Sequence, residues 1–224
     1  SDKNTALGAY ALRNDTEGEQ SVAVGHQALN AQNFTTATSS YNVAVGANAG
    51  VSVTTGANNV LVGGLAGDAI TDADFNIAIG GQALGGNILG GNSVAVGHAA
   101  LLVQNPATAT DMYNVAVGHA AGLSVTTGTN NVLVGGLAGD ALTTGLRNVF
   151  VGDNSGGEVT IGSNNIAIGR NSLDAEVAGS LSVAVGTGTL TTQSFSTATD
   201  SYNTAVGHAA GNAMTTGVKN TLLG

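Results

Sequence analysis

A five-residue phrase, Asn or Ser followed by three mostly apolar residues and Gly, recurs thirteen times and constrains the rest of the chain. The twelve intervals between its glycines are 17 residues nine times and 21 residues three times, running without a gap from Gly8 to Gly224. A catalytic site is needed once. A unit copied at near-constant period points instead to coils that cannot bury their own faces and must stack on near copies of themselves. Residues 1–224 are therefore predicted to be a single β-solenoid repeat domain with no linker, expected to be a segment of a longer fibre.

The phrase itself, as in NVAVG (114–118) or NIAIG (76–80), is short and rich in β-branched residues, which predicts a strand. Val115 and Val117 then face one way and Ala116 the other. Both faces are apolar, whereas a wall with one side in water should alternate apolar with polar. The expectation is that the Ala116 face meets another protein chain. Its residue is Ala in nine copies and Leu61, Leu133, Phe150 or Leu222 in the other four, and the economical partner is a second copy of the chain.

Within each coil, the third residue after the glycine is always small. The fourth is either Leu, with a polar residue three further on (Leu101 with Gln104), or Gly, with an apolar one there (Gly50 with Val53). One interior slot filled from either of two backbone positions fits a close-packed core. Leu123-Ser124-Val125-Thr126 alternates and predicts a half-buried outer strand, and the TTG segments such as 126–128 return the chain to the next Asn. Asn59, Asn131 and their equivalents have two open roles: a stacked amide ladder, or turn residues that tolerate unusual φ.

Composition narrows the function. The chain has 35 Gly, one Pro, no Trp and 4% aromatic residues, so its core is built from small and branched aliphatic side chains. A net charge of −9 is the wrong sign for nucleic acid or an anionic membrane surface. Without Cys there is no disulfide framework or thiolate metal site, and an extracellular setting is allowed. No apolar run approaches the ~18 residues of a membrane span, so no membrane insertion by this segment is expected.

SVAVG (182–186), NIAIG (76–80) and NTALG (4–8) resemble the head repeats of YadA-like trimeric autotransporter adhesins. The longer idiom of NTALGAYAL (4–12) and NTAVGHAAG (203–211) is similar to the repetitive shafts of bacteriophage tail fibres. The resemblance covers the whole chain and departs from the adhesin pattern in its period. It implies an all-β fold, a parallel β-solenoid of the left-handed β-roll type that is homotrimeric. It also implies an extracellular role: a virion tail fibre mediating host-cell attachment, or the head of a bacterial cell-surface adhesin.

Three patterns in the sequence bear on chemistry. Paired carboxylates for glycan cleavage are offered by Asp72 with Asp74, Asp15 with Glu17 and Glu19, and Asp174 with Glu176, all read as outward and solvated. His26, His98, His119 and His208 each follow a phrase glycine and read as exposed corners. Thr recurs in too few coils for an ice-binding face. No catalytic residue, metal ligand or cofactor is therefore expected. Binding is assigned to the three 21-residue coils, QNFTTATSSYN (32–42), QNPATATDMYN (104–114) and QSFSTATDSYN (193–203), which carry five of the eight aromatic residues. Phe34, Tyr41, Tyr113, Phe195 and Tyr202 are the candidate contacts to a host-cell glycan or protein, a role that competes with simple stapling of the longer loop onto the roll.

Overall fold

The computed structural model describes residues 3–224. The chain divides into two compact units, one ending at Tyr113 and the other spanning Asn114–Gly224. Each is an all-β parallel solenoid, with no helix among the described residues. In the first unit, Thr5–Leu7, Val22–Val24, Val43–Val45, Val60–Val62, Ile77–Ile79 and Val94–Val96 stack in parallel register, so that Ala23, Ala44, Leu61 and Ala78 are successive partners. In the second, Val115–Val117, Val132–Val134, Val149–Val151, Ile166–Ile168, Val183–Val185, Thr204–Val206 and Thr221–Leu223 do the same. Every phrase thus becomes one strand.

The faces of these strands are the reverse of the sequence expectation. Ala116 and its equivalents, Leu133, Phe150 and Ala167 among them, point into the roll and, in every strand but the first and last, are fully buried within a single chain. The flanking Val and Ile residues point out. Interior width explains the inversion: a 17-residue coil leaves room beside the strand for one methyl group opposite the buried Leu of the same coil, and larger centres are accommodated only where that Leu is Gly. A Cβ on Gly156 would lie 2.6 Å from the Phe150 ring, and one on Gly50 2.6 Å from Leu61 Cδ1 and 3.2 Å from Val53 Cγ2. The shared slot therefore exists, with the strand centre of the adjoining coil as a third contributor.

Two further expectations change. The stretch 123–126 is turn rather than outer strand. Here the coils are still joined without forming a strand: Thr126 donates its backbone N–H and its hydroxyl to the Thr143 carbonyl, at 3.0 and 3.2 Å, and Ser124 and Gly128 donate their N–H groups to the Asp140 and Thr143 carbonyls. A second strand forms only beside the 21-residue coils, where Gly18–Glu19 pairs with Thr38–Ser39, Gly90–Gly91 with Thr110–Asp111, and Gly179–Ser180 with Thr199–Asp200. The four extra residues supply the length for it. Glu176, read as outward, is fully buried: its Oε1 accepts backbone N–H bonds from Val177, Ala178, Gly179 and Phe195, and Oε2 accepts from Gln193 Nε2 at 2.8 Å. A carboxylate enclosed by five donors is a structural plug.

Of the two roles open to the phrase asparagines, the structure shows the ladder. Asn148 donates its backbone N–H to Asn131 Oδ1 at 3.0 Å, its Nδ2 donates to the Gly162 carbonyl at 2.9 Å, and its Oδ1 accepts the Asn165 N–H at 2.9 Å. The same pattern links Asn42, Asn59 and Asn76 in the first unit. Each amide side chain satisfies backbone groups that the narrow coil would otherwise bury unpaired.

Candidate functional site

Two surfaces follow from this arrangement. The first is the outer face of the strands. In the second unit Ile166 and Ile168 are 37% and 39% exposed on either side of buried Ala167, and Val45, Ile77 and Ile79 are comparably open in the first. The result is an apolar strip two residues wide along each unit. Scattered apolar residues on a surface are ordinary, whereas a contiguous strip of β-branched side chains is a candidate contact surface.

The second surface is the column of residues immediately before each phrase. Every one holds a left-handed backbone, with φ near +50 to +67° from Lys3 to Lys219. Asn, which tolerates that conformation, occurs at 58, 92, 130 and 164; aromatic residues occur at Tyr41, Phe75, Tyr113 and Tyr202. All four aromatic side chains stand more than half exposed.

The five loop residues therefore separate. Tyr41, Tyr113 and Tyr202 lie on this edge and are open to a ligand. Phe34 and Phe195 are 7% and 8% exposed and, like Pro106 at the corresponding place, are buried. The loop tips, such as 35–37, are exposed. The sequence reading missed Phe75 because it confined the search to the long coils. The signal was its position directly before Asn76, the same offset as the tyrosines.

Carboxylates crowd the Phe75 side of this edge. Asp111 accepts Asn92 Nδ2 on Oδ1 at 2.8 Å and the Tyr113 hydroxyl on Oδ2 at 3.2 Å. That bond, together with the Asp111 charge, holds the Tyr113 hydroxyl above the usual phenol range. Asp72 Oδ1 accepts the hydroxyls of Thr54 at 2.6 Å and Thr55 at 2.9 Å, which pull its carboxyl below the usual range. Asp74 accepts the Ala57 N–H on Oδ1 at 2.7 Å, and its other oxygen has no protein donor among the described residues.

The four histidines sit at exposed corners, and His26 packs edge-on against Tyr10 at 5.9 Å. Among the described residues there is no group of three or more His, Asp or Glu able to hold a metal ion and no helix long and apolar enough to cross a membrane. Compared with known proteins, the chain matches no family model, no curated protein and no solved structure.

Proposed function

We propose that the chain is a structural and adhesive segment of a homotrimeric extracellular fibre, of the bacteriophage tail-fibre kind, that mediates host-cell attachment. The observation that carries the reading is the outward strip of Val and Ile. A solenoid with a filled interior has no internal use for a second apolar face, and copies of the same chain supply a cover of the same length and chemistry. Threefold closure comes from the resemblance of the repeats to those of trimeric fibres.

The strand Ile166–Ile168 separates folding from assembly in neighbouring residues. Ala167→Asp places an unpaired charge inside the roll and is expected to cost more than ~4 kcal/mol, abolishing the β signal in circular dichroism. Ile168→Asp puts the same charge on the outer face, 39% exposed in the single chain. That variant is expected to keep the β signal and to run as a 21.7 kDa single chain in sedimentation velocity. An Ile168→Asp preparation with the same mass as the parent would remove the outer strip from the interface.

A further inference from the structure

Five consecutive members of the left-handed column in the first unit alternate aromatic with amide: Tyr41, Asn58, Phe75, Asn92, Tyr113. They lie on successive coils. Asn58 N–H donates to the Ser40 carbonyl at 2.7 Å, Phe75 N–H to Ala57 at 3.1 Å and Asn92 N–H to Asp74 at 3.1 Å, while Asp111 joins the Asn92 amide to the Tyr113 hydroxyl. Parallel strands stack ~4.8 Å apart, so rings on alternate coils stand roughly 10 Å apart, about the length of two pyranose units in an extended chain.

We infer that this column is a binding track for a linear polysaccharide without anionic groups, in which every second sugar ring stacks on Tyr41, Phe75 and Tyr113 and the intervening Asn58 and Asn92 meet the hydroxyls between. The inference rests on the attachment role proposed above and names the ligand class. Three observations carry it besides the spacing. The aromatic rings are 53%, 56% and 54% exposed, although a bulky side chain at positive φ is strained where Asn would serve the fold at lower cost. Asn58 is exposed and its amide makes no bond among the described residues. A groove of about 350 Å³ runs beside Phe75 and Asn92, walled by Asp72, Asp74 and Asp111. Those carboxylates accept bonds from sugar hydroxyls or amines and repel uronates and sulfates, as does the net charge of −9.

The test is isothermal titration of the intact chain with three hexamers: cellohexaose, the β-1,4-linked hexamer of glucosamine, and a galacturonate hexamer. The first two are expected to bind, the glucosamine hexamer more tightly, and the third not. Cellotriose, too short to reach from Tyr41 to Tyr113, is expected to bind at least about tenfold more weakly than cellohexaose, having lost one or more stacked rings. Phe75→Asn and Tyr41→Asn are each expected to weaken the hexamers about tenfold with the melting temperature unchanged or raised. Failure of both neutral and amino hexamers to bind, equal binding of the galacturonate hexamer, or unchanged affinity in both variants overturns the track. An assembled protein that binds none of them sinks this inference and leaves the fibre standing; a single chain that binds them sinks the fibre and leaves the track.

Discussion

Gly152→Ala is expected to lower the stability of the second unit by on the order of 4 kcal/mol, enough to unfold much of it under conditions where the parent is native. Gly152 ends the phrase of Val149–Val151 at φ +139°, a region that L side chains rarely enter. An added Cβ would also lie 2.6 Å from both the carbonyl carbon and oxygen of Gly169 on the next coil. Those are backbone atoms locked in the parallel ladder, so neither the substituted residue nor its neighbour has anywhere to move. Gly136→Ala is the control, because Gly136 has no positive φ and its Cβ would meet only Asp153 Oδ1 at 3.4 Å. Urea titration followed by circular dichroism is expected to show a large loss of unfolding free energy for the first and a change within about 0.5 kcal/mol for the second. Similar midpoints for the two variants would mean that the coil-to-coil approach at the phrase glycines is not tight.

Asn148→Leu is the second large effect, expected at about 4 kcal/mol. Leu has the same number and branching of side-chain heavy atoms as Asn but is apolar and somewhat larger, so a site needing only that shape would lose little beyond the cost of fitting the extra volume. The ladder gives the opposite result. The change removes the acceptor of the Asn165 N–H, the donor to the Gly162 carbonyl and the side-chain donor to Asn131 Oδ1, leaving three groups in a fully buried setting with lost bonds. Each such group costs ~1–3 kcal/mol when water cannot replace the partner. Asn164→Gly, at an exposed neighbour whose side-chain amide makes no bond among the described residues, is expected to change the unfolding free energy in urea titration by less than about 0.5 kcal/mol. A mild effect of Asn148→Leu would return these asparagines to the role of turn residues.

The period, the strands and their parallel order were legible in the spacing of the phrase glycines, because a solenoid writes its coil length directly into its sequence. Which face points inward was not. Val and Ala are both apolar, so alternation alone does not orient the strand, and the bulkier residue looks like the natural core residue until the width of the coil is known. The information was nevertheless present: Leu61, Leu133 and Phe150 break the run of Ala at the strand centre in coils whose neighbours carry Gly50, Gly67, Gly139 and Gly156, a compensation that only residues sharing one interior would need. The loops divided for a related reason. Phe34 and Phe195 are buried in the long coils, in which Gln32 and Gln193 are buried as well, while Tyr41, Tyr113 and Tyr202 stand exposed on the left-handed backbone that precedes each phrase. Phe75 was overlooked because it lies in a 17-residue coil, although its place directly before Asn76 matches that of the tyrosines.

The proposed fibre rests on the outward Val and Ile strip being covered by copies of the same chain, and the molar mass of the protein in solution tests it most directly. Light scattering on the chromatographed chain at micromolar concentration is expected to give three times 21.7 kDa, unchanged by salt because the interface is aliphatic. A mass of 21.7 kDa across that range would contradict it, leaving a single-chain solenoid with its widest apolar face in water.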